Sequence, residues 1–470
     1  MRRLQDAGDV SLEGWSASIE VFNGVVGRES PVQPPDSSPD NHLQEPLLPP
    51  RKTALVFEQL EEISLYTYYV NRVASELQAS DGLHNPYRKI SVLSLSFPVL
   101  FKTICSCAAE HLHALDRCPA ALAVDLQDRA INAIRSQLAG WRSHSPSESL
   151  PALGRRVSVD IGMNADEALL AAVLMQIGAI AFSGNAPISA QTHLDIAFYL
   201  LKELEYLSAP KIVNSWLPKF LLQRFAIVEL GICVWHRRRP RFPLDTWFFQ
   251  APEDTAQDIF DDVQPSFAEM TGCPHTVFTL LHRVLHLAAD AADNTLQSGD
   301  TYQQAIDLET EIRLYDRQSV DYMATGSSPN SVMNSIRQCF VHACLILLLR
   351  RVFLESSSSP RVQNSVRAIF TLINDVPVTA SDGRGASGIV ESGVDSATGL
   401  PFYLAAREAA TRTDQDYVRA KHQGWRRVYP NLARVQLMEV AEAIWLERMK
   451  DDWSEEACAL LEAACDAYLF

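Results

Sequence analysis

From Phe57 onward the chain keeps returning to one pattern, apolar residues at three- and four-residue spacing. FEQLEEISLYTYYVNRVASEL, residues 57–77, is the first instance. That spacing lays an apolar stripe along one face of an α-helix, and the stripe must be buried against another element. No convincing run of the two-residue alternation that marks half-buried strands appears anywhere in the chain. Residues 85–115 form a second helical unit, broken at Pro98 because proline has no N–H to donate inside a helix. Similar helices are predicted at about 119–142, 165–183, 188–207, 212–236, 274–297, 300–323, 330–354 and 360–374. After a gap they continue at about 401–413, 415–428, 431–450 and 454–469. The fold class that follows is all-α, with many antiparallel helices in one large irregular helical domain. No fixed repeat of roughly 30–45 residues is visible, which speaks against a regular solenoid.

The helical region reads as residues 55–470, preceded by a tail over 1–54. Seven of the 25 prolines lie in PVQPPDSSPDNHLQEPLLPP, residues 31–50. Proline removes amide donors while Ser and Asp solvate the chain, so the tail is expected to be disordered. Leu43, Leu47 and Leu48 among Asp36, Asp40 and Glu45 fit either an acidic activation segment or a solvated linker. Two connectors, Ser/Pro-rich near 143–162 and Gly/Ser-rich near 376–399, would allow two subdomains.

Charge and cysteine usage narrow the function classes. Asp and Glu number 57 against 41 Lys and Arg, a net charge of -16. A phosphate backbone is bound chiefly by basic surface, so direct, sequence-specific nucleic-acid binding by this chain is not expected. The nine cysteines are an odd number and most sit within apolar helical patterns, which fits reduced, buried thiols rather than a disulfide framework. The N-terminus has no apolar signal core. The longest apolar run, CFVHACLILLL at 339–349, is too short to span a membrane.

The candidate chemical constellations are weak. Gly383-Arg-Gly-Ala-Ser-Gly388 matches a dinucleotide-binding glycine pattern but lies in a Gly/Ser connector with no strand before it. Of Cys105, Cys107, His111 and His113, only Cys107 and His111 share a helix face, and zinc usually needs four convergent ligands. Asp258, Asp261 and Asp262 could share a helix turn, but Pro265 stands where a magnesium-binding aspartate cluster needs its last acid. Asp451 and Asp452 lack a further acid at that spacing. His282 and His286, four apart, read as packing histidines. Nothing assembles a nucleophile, base and oxyanion donor, so no enzyme, cofactor or metal is expected.

CVWHRRRPRF, residues 233–242, is the most charged of these features. An apolar helix over Trp216–Val234 carries Cys233 and His236 into its last turn. Arg237, Arg238, Arg239 and Arg241 then stand where positive charge favours exposed carbonyls, and Pro240 and Pro243 stop the helix. The same four arginines also form a weak nuclear-import patch.

Four longer blocks carry a family resemblance. NPYRKISVLSLSFPVLFKTICSCAAEHL (85–112) resembles the first block of a fungus-specific transcription-factor domain, the C-terminal regulatory region of fungal zinc-cluster regulators. EALLAAVLMQIGAIAFSGNAPISAQTHLDIAFYLLKEL (167–204) is similar to its helix pair, with His193-Leu194 near the start of the second helix. RQCFVHACLILLLRRVFLESSSSPRVQNSVRAIFTLINDVP (337–377) resembles its long apolar helix, turn and shorter helix. Residues 399–453, with Trp445 and Trp453 near their end, look like its C-terminal block. The resemblance implies an all-helical fold, a nuclear location rather than a cytoplasmic one, and control of transcription, with no catalytic residues. Full-length members carry an N-terminal binuclear zinc cluster of six cysteines within about thirty residues. Here no cysteine precedes Cys105, so the expectation is a regulator without its own zinc cluster. It would act as a pathway-specific co-regulator, with a fungal secondary-metabolite gene cluster as a candidate target, through a DNA-binding protein partner, as a homo- or heterodimer and away from membranes. The alternatives are a non-transcriptional helical scaffold or ligand-binding protein and, last, an all-α enzyme.

Overall fold

The computed structural model describes residues 61–79, 85–142, 163–184, 190–207, 216–243, 267–293, 299–323, 330–374, 397–428, 431–450 and 453–463. The tail 1–54, the connector 143–162 and nearly all of the connector 376–399 lie outside these residues. So do Gly383–Gly388, Asp258, Asp261, Asp262, Asp451 and Asp452.

Among the described residues every regular element is helical and none is a strand. After an opening segment come α1 (Pro86–Ser94), α2 (Pro98–Ala114), α3 (Ala120–Arg142), α4 (Ala165–Ser183), α5 (Ala190–Glu203) and α6 (Trp216–His236). Beyond the short Phe267–Thr271 turn follow α7 (His275–Ala292), α8 (Gly299–Met323), α9 (Asn330–Arg351) and α10 (Pro360–Asn374). The chain closes with α11 (Gly399–Arg407), α12 (Arg412–Val428), α13 (Leu432–Glu447) and α14 (Glu455–Ala463).

Local chemistry explains the boundaries. Pro86 and Pro98 each open a helix, where a missing N–H costs nothing. Asn85 Oδ1 accepts from the amides of Tyr87 and Arg88. Asn164 and Glu167 cap α4 reciprocally: Asn164 Oδ1 accepts from the Glu167 amide at 2.9 Å and Glu167 Oε2 from the Asn164 amide at 2.9 Å. The opening segment is not uniformly α-helical. Tyr69–Val73 form a π turn, an inserted irregularity that apolar spacing alone does not signal. The break predicted between helices at 401–413 and 415–428 falls earlier, at 408–411. α11 stops at Arg407, and the Thr411 hydroxyl, which accepts from the Asp414 amide at 3.1 Å, starts α12.

α4 is buried on every side from Glu167 to Phe182 and forms the centre of one group of helices, against α2, α5, α6 and α13. α9 plays that role for a second group, packed by α7, α8, α10 and α11. The buried apolar residues of both groups join in one continuous core, which α6 and α13 help to bridge. The α4 helix and residues 332–351 are long and apolar enough to cross a membrane, but most of each is buried inside the protein. The helix around CFVHACLILLL is therefore longer than that run alone indicates, and it serves as a core helix.

Candidate functional site

Four helices end at one place. The C-termini of α6, α7, α9 and α11 meet around a cavity of about 450 Å³. Each end leaves carbonyls without partners in its own helix and carries about half a negative charge. The sequence answers with arginine: Arg237 and Arg238 follow α6, Arg350 and Arg351 finish α9, and Arg407 finishes α11. Arg351 donates to the carbonyl of Val234 in the last turn of α6. Arg448 and Trp445, both from the end of α13, donate to the carbonyls of Arg407 and Ala406 at 2.7 and 2.9 Å.

Two buried glutamates hold three of these cations, Arg350, Arg407 and Arg238. Glu408 is 1% exposed and accepts from Arg407 Nε at 2.8 Å, Arg350 Nε at 2.9 Å and an Arg448 terminal nitrogen at 2.9 Å. Burial alone would raise its pKa, but Arg407, Arg448 and Arg350 outweigh it and hold the carboxyl down at about 2. Glu229, fully buried inside α6, faces Arg241 in a two-pronged contact at 3.0 and 2.9 Å, and Arg238 at 3.2 Å. Burial pushes Glu229 up and the Arg241 and Arg238 guanidiniums more than reverse it.

The four arginines of CVWHRRRPRF therefore go to different places. Arg237 is exposed and adopts a left-handed backbone, φ 52°, that ends α6. Arg238 and Arg241 meet Glu229, and Arg241 also meets Asp195 at 2.6 Å and lies over the Phe198 ring. Arg239 reaches Asp290 and Asp293 on and just past α7. The helix end was expected; the carboxylates that receive three of its arginines were not. They lie 9 to 54 residues away in sequence, on α5, α6 and α7. With Arg238 and Arg241 tied to a buried carboxylate, Arg237→Ala with Arg239→Ala is expected to leave the intracellular distribution of a fluorescent fusion unchanged. A shift between compartments at unchanged thermal stability would give the import reading its support.

The other sequence candidates do not converge. Cys107 Sγ donates to the Met175 carbonyl at 3.2 Å. His111 lies between the Tyr68 hydroxyl at 2.9 Å and Glu76 at 2.7 Å, whereas His113 faces the Cys118 carbonyl. His282 and His286 stack with ring centres 4.4 Å apart, and burial holds both near a pKa of about 4, hence neutral at pH 7. All described cysteines are buried. Among the described residues no three His, Cys, Asp or Glu side chains are arranged to hold a metal. Arg350, Arg351, Arg407 and Glu408 escaped notice in the sequence. Their signal was present: LLLRRVF and LAAREA, like CVWHRRR, place arginine where an apolar helix runs out.

A family model described as the fungal specific transcription factor domain matches residues 64–464. No curated protein and no solved structure matches the chain.

Proposed function

The chain belongs to the fungal specific transcription factor domain family, and from that we propose a nuclear, pathway-specific co-regulator that reaches DNA through a partner. The regulatory role in transcription follows from the family, whose match takes in nearly the whole helical body. That match is the observation that carries the proposal. The finer reading rests on two features of residues 1–470. No cysteine precedes Cys105, and the later ones are dispersed, so these residues hold no six-cysteine zinc cluster of the kind that places a helix in the major groove. The net charge of -16 also disfavours unaided binding along a phosphate backbone. A DNA-binding transcription factor is the partner these features call for, and a fungal secondary-metabolite gene cluster is the proposed target.

Deleting the gene and sequencing transcripts genome-wide tests the role. A coherent set of genes is expected to change, concentrated in one biosynthetic cluster; an unchanged transcriptome would remove the proposal. Purified chain is expected to give no sequence-specific electrophoretic shift on the promoters of that set. A tight, specific shift by the chain alone would overturn the need for a partner.

A further inference from the structure

We propose that the exposed apolar patch where α13 gives way to α14 docks an amphipathic helix of another protein, apolar on one face and basic on the other. The inference stands on this surface alone, whatever the chain regulates. Among the described residues twelve large apolar side chains are exposed, and four of them, Leu446, Met449, Trp453 and Leu460, fall within fifteen residues. Their exposures run from 40% for Trp453 to 73% for Met449. Single apolar residues scattered over a surface are ordinary, whereas a concentration of them marks a place where something binds.

Local hydrogen bonds group these side chains. The Met449 amide donates to the Leu446 carbonyl at 3.2 Å, the Lys450 amide to Glu447 at 3.1 Å and the Trp453 amide to Lys450 at 3.4 Å. Turns of this kind stack residues three apart. Leu446 and Met449 therefore form one row, with Glu447, Lys450 and Trp453 in the row beside it. Ser454 then caps α14, its Oγ accepting from the Ala457 amide at 3.1 Å. Cys458 points into the protein, so Leu460, about 200° further round the helix, faces out. Methionine adapts its shape to a partner, and tryptophan is enriched among the residues that anchor interfaces.

Charge selects the occupant. Residues 446–462 hold six acids, Glu447, Asp451, Asp452, Glu455, Glu456 and Glu462, against two bases, Arg448 and Lys450, an excess of four negative charges. The groups that meet these residues change it little. Arg350, Arg407 and Glu408, behind Glu455 and Arg448, remove one of the four. Arg419, Glu442 and Asp416, on α12 and α13, restore it. The C-terminus of α13 and the N-terminus of α14 cancel each other. A partner with a basic face complements this rim, and the net charge of -16 draws it in. A second copy of the chain, or an acidic helix, would set acid against acid. An amphipathic helix also brings apolar anchors at the three- and four-residue spacing that a short apolar patch accepts.

Fluorescence anisotropy with the full chain tests this, using three labelled synthetic peptides of about 18 residues, five turns of helix. The first is an amphipathic leucine/lysine helix, the second the same residues in scrambled order, and the third the first with glutamate for lysine. The amphipathic lysine peptide is expected to bind a saturable site about tenfold or more tighter than the scrambled one, and the glutamate peptide to give no saturable binding. The Leu446→Ser, Met449→Ser pair is expected to weaken binding about tenfold or more, and Trp453→Ala to do the same. Melting curves establish that each variant is folded, and the serine pair, at the more exposed positions, decides the matter if Trp453→Ala is not. No saturable site, equal binding of the scrambled or the glutamate peptide, or indifference of folded variants would each overturn the proposal. So would a dimer in sedimentation that the serine pair abolishes, because the patch would then belong to a second copy. None of these results bears on the transcriptional role.

Discussion

Glu408→Gln is expected to lower the unfolding free energy by about 3–5 kcal/mol, the usual effect of removing one partner from a buried ion pair. Three guanidiniums converge on this one carboxylate, from α9, from α11 and from just past α13. Arg350 and Arg407 are themselves 6% and 3% exposed at the side chain, so water cannot replace the lost charge. The amide keeps the size and one acceptor, which confines the change to charge. Urea denaturation of the wild type and variant at pH 7 measures it, and a difference under about 1 kcal/mol would contradict this account.

The same carboxylate predicts a pH dependence. Its pKa is about 2 in the fold against an ordinary 4.5, so its stabilisation is complete above 4.5 and is lost as pH falls through 2. A shift of that size corresponds to about 3 kcal/mol. His282, His286 and His422 behave in the same sense at higher pH. Burial holds each near about 4 against an ordinary 6.5, so protonation favours the unfolded chain as pH drops from 6.5 to 4. The wild type should lose stability in both windows. Glu408→Gln should keep the upper loss and show a smaller lower one, with Glu229 still contributing there. Parallel curves for the two proteins below pH 4.5 would mean that Glu408 is not held as described.

Gly184→Ala is expected to destabilise by roughly 2–4 kcal/mol, summing a left-handed residue and an overpacked contact. Gly184 ends α4 with φ +65°. A methyl group there would stand 2.5 Å from Leu432 Cβ and 3.2 Å from the Leu432 carbonyl carbon, so backbone as well as side chain must move. The Gly184 carbonyl also accepts from the side-chain amide of Gln436 on α13, a contact joining residues 252 apart. Gly178, one and a half turns earlier in α4, provides the contrast. A methyl group there meets only an Arg224 terminal nitrogen, at 4.0 Å. Gly178→Ala should stabilise by up to about 1 kcal/mol through helix propensity. Denaturation midpoints that move in the same direction for both variants would contradict the close approach of α4 and α13.

The helical class and most helix boundaries are properties of local sequence. Residues 165–183 and 360–374 read as helices from their spacing, and the structure ends them at the same residues. The reason is that periodicity, proline at a first turn and arginine at a last turn all act within a few residues of one another. Where a local signal was overlooked, as at Thr411 and Asp414, the start of a helix was placed a few residues late. The family resemblance was legible for the same reason, since its four blocks are packing patterns carried on single helices or neighbouring pairs.

Which helix ends meet is not local. CVWHRRRPRF declared a helix end and a surplus of charge, but its acid partners lie on three different helices. Arg350 finds Glu408 58 residues away, and Arg351 finds the Val234 carbonyl 117 residues away. Coulomb attraction and desolvation depend on separation in space and on burial, neither of which a linear pattern contains. The sequence by itself determined the helices and put a cation at several of their ends. Only the packing of α6, α7, α9 and α11 against one another decided that those cations surround one cavity.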